Sequence, residues 1–167
     1  MRWTLTLPID LPSKNGVPRN RHAYKRQRDR YAATVRAVAI AAGMPLAIRE
    51  PHEKGKGPPS NVPRRAVTIT RLWGAGQRAY DAGDGLEGGA VMLRDAMQAT
   101  RYRWRKTVAW PVGLVPGAGI VWDDSPKWSM WSYSQRKAED GKARVVVEVR
   151  DIETTELPAT PGEEQGQ

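Results

Sequence analysis

Two stretches of apolar residues at helical spacing, set among stretches that alternate every second residue, limit what this chain can fold into. Tyr31, Val35, Val38 and Ala42 recur through an Arg- and Ala-rich segment, and Leu86, Ala90, Leu93 and Met97 through a second one. Each set marks the buried stripe of an amphipathic helix. The first helix is expected over residues 24–42, ended by Gly43 and Pro45, and the second over residues 85–100. Near the N-terminus, Trp3, Leu5 and Leu7 alternate with Arg2, Thr4 and Thr6 as far as Pro8, the period of a strand. Residues 66–73 read as another strand by their β-branched content. Residues 127–134 and 143–150 read as a closing hairpin around 138–142, with Val145, Val147 and Val149 on its buried face. The order β-α-β-α-β-β implies an α+β domain: two helices packed on one small mixed sheet. A chain of 167 residues is long enough to bury one such core.

Between these elements lie Pro- and Gly-containing connections. A turn-rich basic stretch spans residues 11–22, and residues 50–63, rich in Lys, Gly and Pro, read as a mobile loop. The domain is expected over residues 1–152, and residues 153–167 are expected to be an acidic, disordered tail. Charge follows that division. Residues 1–150 hold all 27 Lys and Arg but only 13 of the 18 Asp and Glu, a net charge of +14. Asp151, Glu153, Glu156, Glu163 and Glu164 follow without a single base. Such a body attracts polyanions, so nucleic acid is the expected partner.

With no cysteine, disulfides and zinc-thiolate sites are excluded, and His22 and His52 are too few and too distant for a histidine metal cluster. No apolar run approaches the roughly 20 residues that span a bilayer. The N-terminus also lacks a signal-peptide block. A cytoplasmic protein, with no membrane partner and no nucleotide cofactor, is therefore expected.

Two acidic groupings stand out in this basic chain. Asp81 and Asp84, with Glu87 close behind, fall between the second strand and the second helix; Asp123 and Asp124 follow Val121-Trp122 before the hairpin. Carboxylates at neighbouring strand ends can converge on a hard cation such as Mg²⁺, with Mn²⁺ as an alternative. Such an ion activates water and offsets charge in phosphodiester cleavage. The same residues also have plain structural uses. Asp84 suits a helix N-cap with Glu87 completing a capping box, and Asp123-Asp124-Ser-Pro is ordinary turn chemistry. Glu87 is assigned to the capping role.

The order of motifs is more specific than either acid pair. Leu11-Pro-Ser-Lys-Asn15 precedes Asn20-Arg21-His22; Asp81-Ala-Gly-Asp84-Gly opens a helix that continues Leu93-Arg-Asp95-Ala-Met; and Gly119-Ile-Val-Trp-Asp123-Asp124 precedes the last two strands. This order resembles the RusA-type Holliday-junction resolvases, small homodimeric Mg²⁺-dependent endonucleases, over roughly residues 2–150. The resemblance implies a RusA-like fold, a homodimer, and four-way-junction or other branched DNA as substrate in recombination, repair or phage DNA processing. It makes Asp81, Asp84 and Asp124 catalytic, and Asp81, Asp84, Asp123 and Asp124 the metal ligands. Asp84 and Asp124 match the family pattern directly. The family's first Asp aligns with Ala82, so Asp81 stands in for it; its Asn aligns with Gly85 and its helical lysine with Val91. Arg94 or Arg78 would then replace that lysine.

The basic residues carry a further expectation. Lys14, Arg19, Arg21, Lys25, Arg26, Arg28 and Arg30 gather around the first helix start. Lys54, Lys56, Arg64 and Arg65 belong to the 50–65 region, and Arg101, Arg103, Arg105 and Lys106 follow the second helix. Phosphate contacts from such groups position DNA without reading its sequence. Trp104, Trp110, Trp122, Trp128 and Trp131 lie near these bases, for core or dimer packing or as wedges in an opened junction. Two other functions stay open: a branched-DNA-binding protein with weakened catalysis, suggested by Ala82, Gly85 and Val91, and a general basic nucleic-acid-binding module.

Overall fold

The N-terminal alternation forms β1 (Arg2–Leu7), with Leu5 and Leu7 fully buried and Trp3 half-buried. The computed structural model describes residues 1–48, 63–81, 85–103, 105, 107 and 112–152; the 50–62 loop and the 153–167 tail lie outside the described residues. A short 3₁₀ turn at Lys14–Gly16 precedes α1 (Arg21–Ala41). This helix starts three residues earlier than its apolar stripe indicated. The reason is Asn20, whose side-chain oxygen accepts the N–H groups of His22 (2.9 Å) and Ala23 (3.3 Å) and so caps the helix ahead of the stripe.

Six further elements follow: β2 (Arg65–Trp73), α2 (Leu86–Met97), β3 (Arg101–Arg103), β4 (Gly113–Val115), β5 (Ser129–Lys137) and β6 (Arg144–Asp151). β3 and β4 pair with each other as a small separate sheet. The main sheet has four strands in the order β1-β6-β2-β5; β2 runs parallel to β5 and antiparallel to β6.

That order corrects the expected closing hairpin, because β5 and β6 flank β2 instead of pairing with each other. β2 is buried on its inner face at Val67 and Ile69 and needs backbone partners along both edges. The 138–143 connection is long enough to straddle one strand, a span of two inter-strand spacings or about 10 Å. It crosses the end of β2, where Ala138 N–H donates to Trp73 O (2.9 Å) and Ala75 N–H to Gly141 O (2.8 Å). Gly74 lies directly beneath: a Cβ there would stand 2.7 Å from the Gly141 carbonyl oxygen.

Both helices cover one sheet face, as the α+β reading requires. Val145, Val147 and Val149 are fully buried there, against Tyr31, Val35 and Ala39 of α1 and Ala90, Leu93 and Met97 of α2. Trp122 packs with Ala47 and Ala99, its ring 6.5 Å from that of Trp128. No helix among the described residues is long and apolar enough to cross a membrane.

Arg65 departs from its expected place among solvent-facing bases. Its side chain is wholly buried at the start of β2 and donates to Asp151 Oδ1 (3.1 Å), Ile120 O (2.6 Å) and Pro45 O (2.7 Å). The strand alternation explains this: residues 65, 67, 69 and 71 all face the helices. Burial lowers the guanidinium pKa, and the Asp151 carboxylate opposes that shift. Arg65→Ala should cost about 3–5 kcal/mol in urea unfolding, because three acceptors lose their donor inside the fold. Arg2→Ala, which breaks only the exposed 2.8 Å pair with Glu148, should cost less than about 1 kcal/mol.

Candidate active site

The first acidic segment is held by the far end of β2. The Arg71 side chain, 1 % exposed as a residue, lies 3.7 Å from the centre of the Tyr80 ring. Its Nη1 donates to Arg78 O (3.0 Å), and its Nε sits 3.6 Å from Asp10 Oδ1 without a hydrogen bond of its own. From β5, the Gln135 amide grips the Tyr80 backbone on both sides: its oxygen accepts Tyr80 N–H (2.9 Å) and its nitrogen donates to Tyr80 O. Tyr80 in turn donates its hydroxyl to Leu11 O (3.0 Å). Asp81 is thereby fixed at the mouth of an open cleft of about 510 Å³, shared with Ser13, Lys14, Asn15, Arg78 and Tyr80.

The N-terminal wall of that cleft reaches α2 through a notch. A Cβ at position 89 would stand 1.9 Å from Pro12 O, and one at position 88 would stand 2.9 Å from Cβ and Cγ of Lys14. Only Gly88-Gly89 lets the 12–14 segment lie against the first turns of the helix. α2 itself begins at Leu86 with Gly85 as N-cap and no side-chain cap. This corrects the capping-box assignment of Glu87, which occupies the second helical position instead of the third and is exposed. Asp84 and Ala82 lie outside the described residues.

The second acidic segment is anchored to the other end of α2. N–H groups of Ala118, Gly119, Ile120 and Val121 donate to the carbonyls of Ala96, Gln98 and Met97 at 2.8–3.2 Å, satisfying orphan acceptors at the helix end. Asp123 then turns inward on its own loop, its Oδ1 accepting Ser125 N–H at 2.9 Å and its carbonyl accepting the Ser129 hydroxyl at 2.9 Å. Asp124 points outward, with Oδ2 3.7 Å from Arg94 Nε. Arg94 also donates to the Tyr133 hydroxyl (3.4 Å).

Tyr133 links the two acidic segments. Burial raises its pKa, the Glu87 and Asp124 carboxylates add to that rise, and Arg94 opposes it. Glu87 therefore belongs with the site, a role that its assignment to capping missed. Its spacing carried the signal, since Glu87 and Arg94 are seven residues apart and share a helix face. Val91, between them, is half-buried. Among the described residues, no three His, Cys, Asp or Glu side chains come close enough to hold a metal.

Of the expected DNA-binding residues, Lys14, Arg19, Arg21, Lys25, Arg26, Arg103 and Arg105 are exposed, Arg101 is half-buried, and Lys106 lies outside the described residues. Arg28 is buried and paired with Asp29, so it belongs to the scaffold. Tyr24 of α1 donates to Asp95 Oδ2 (2.7 Å) and lies within electrostatic reach of Arg101, which brings the α1 and β3 basic groups onto neighbouring surface.

Comparison with family models, with curated proteins and with solved structures finds no match to this chain.

Gly89→Ala should destabilise the protein by about 1–3 kcal/mol in chemical denaturation, because the Pro12 carbonyl must move. Helix propensity alone would give the opposite sign, a gain of about 1 kcal/mol. A pH effect follows from Tyr24, whose phenol is pushed well above its ordinary value by burial and then by the Asp95 carboxylate. The folded state holds that proton more tightly than the unfolded state. Its contribution is therefore complete below about pH 10 and is lost as the pH rises further, at up to about 1.4 kcal/mol per pH unit. Denaturation series from pH 8 to 11.5 should show the fall, and Tyr24→Phe should flatten it.

Proposed function

We propose that this protein is a structure-selective endodeoxyribonuclease that cuts four-way junctions and related branched DNA by Mg²⁺-dependent phosphodiester hydrolysis. One observation carries the reading. In a chain whose first 150 residues have a net charge of +14, acids from separate segments gather along one side of α2. Glu87 and Asp124 both act on Tyr133, and Asp81 adjoins the helix start through Leu86 N–H, which donates to Asp81 O at 3.2 Å. Uncompensated acids there would repel a polyanion, so their placement suits a site that also takes a cation.

Carboxylate oxygens are the donors that Mg²⁺ or Mn²⁺ selects. The described acids alone do not complete a site, and the motif order assigns Asp84 as a further ligand beside Asp81, Asp123 and Asp124. The ion would supply charge neutralisation and an activated water. The chain's own groups supply the rest: Arg94 orients Asp124, and exposed Arg19, Arg21, Lys25 and Arg26 with Arg101, Arg103 and Arg105 hold the DNA backbone. A homodimer acting in the cytosol, with one site per opposed strand, belongs to the same proposal.

A second reading is favoured by the Arg94–Asp124 pair, in which a guanidinium already faces the carboxylate expected to meet a metal. On that reading the protein binds branched DNA and cuts it weakly or not at all.

Labelled four-way junction and matched linear duplex, each incubated with Mg²⁺ or with chelator, separate the two. The expected result is paired nicks in the junction alone, dependent on Mg²⁺ and reduced at least about 100-fold in Asp124→Asn. Tight junction binding without nicks would establish the second reading in place of the first. Equal affinity for junction and duplex would defeat both.

A further inference from the structure

We infer that Lys14 seats a phosphodiester of single-stranded or opened DNA in the cleft beside Asp81. The seat deepens the nuclease reading, which supplies its purpose, while the binding argument stands on the cleft itself. Three observations place the charge. The Lys14 stem lies against Gly88 so closely that a Cβ there would stand 2.9 Å from its Cβ and Cγ, which fixes the first half of a flexible side chain on the first turns of α2. The residue remains exposed at the cleft, one helical position beyond Glu87 along the same turn. Ser13 and Asn15 flank it, and Arg78 closes the opposite wall.

The other cations near the acids are committed elsewhere. Arg94 is shared between Asp124 and Tyr133, and Arg71 is buried beneath Tyr80. Lys14 and Arg78 are the bases that line the cleft, with the Ser13 hydroxyl and the Asn15 amide as neutral donors. An ammonium on a packed stem is a compact point charge suited to a phosphate oxygen, and packing lowers the entropy lost when the anion arrives. The opposite wall carries Asp81, so a phosphodiester seated on Lys14 would lie between a cation and a carboxylate.

The test is titration of the full chain with the tetranucleotide d(TTTT) and, separately, with inorganic phosphate, followed by backbone amide shifts. In the wild type, d(TTTT) should move the amides of Ser13, Lys14, Asn15 and Asp81. Lys14→Gln should weaken its binding about fivefold or more, and Lys14→Arg should restore most of it. A matching thermal midpoint for Lys14→Gln and wild type would confirm that the loss is local. Unchanged affinity in Lys14→Gln, or shifts confined to residues 19–26, would overturn the seat. Inorganic phosphate binding as tightly as d(TTTT) would overturn its assignment to nucleic acid. Junction cleavage judges the nuclease reading separately. If the wild type does not cut but d(TTTT) binding still depends on Lys14, the seat stands and that reading falls. If it cuts, Lys14→Gln should slow single-turnover cleavage about 100-fold while junction affinity stays within about threefold.

Discussion

Two buried guanidinium groups on one strand organise this protein. Arg65 and Arg71 stand on the inner face of β2, at its two ends, and each reaches past the core to backbone that carries an acid. Arg65 holds Ile120 O, four residues before Asp124; Arg71 holds Arg78 O, three residues before Asp81. Burying a guanidinium costs free energy unless its donors are met, and the planar, multi-donor fork of arginine meets several acceptors at once. Asp151 and Asp10 provide counter-charges at 3.1 and 3.6 Å. The two acidic segments, 43 residues apart in the chain, are thus referred to the same rigid strand.

α2 completes the arrangement by touching both segments. Its first turns receive the 12–14 segment through Gly88-Gly89, and its last carbonyls accept the 118–121 N–H groups. Gln135 and Tyr133, on the same face of β5, then reach the Tyr80 backbone and Arg94. The proposed chemistry draws on this division of labour. Buried arginines and backbone bonds set the positions, while exposed acids and bases are left to meet a ligand.

What the sequence made legible was whatever depends on local period. The alternation of β1 and β6 and the stripes of both helices correspond to buried faces at Leu5, Leu7, Val145, Val147, Val149, Leu86, Ala90, Leu93 and Met97. Strand partners were not legible, because alternation fixes which face a residue takes and says nothing about which strand lies beside it. Hence β5 and β6 read as a hairpin. Arg65 and Arg28 read as solvent-facing bases for a similar reason, since residue type signals charge while burial depends on distant acceptors. In the site, Asp81, Asp124 and Arg94 were visible as residues, and the structure adds the pairing of Asp124 with Arg94. Glu87 was concealed by a capping pattern that the observed helix start at Leu86 does not use.

The crossing of the 138–143 connection over Gly74 bears on how the sheet can assemble. A hairpin can zip from its own turn, but β5 and β6 have no backbone bonds to one another and must both register on β2. They are joined so closely that docking one restricts where the other can land. Every ladder of the main sheet therefore closes a long loop, because β2 and β5 are more than 50 residues apart and β1 and β6 more than 130. Such topologies meet the entropy of loop closure before contacts repay it, and they fold more slowly than sheets built from local turns. The central strand acts as the template, and the carboxylate-bearing loops gain their final positions only after both neighbours have landed on it.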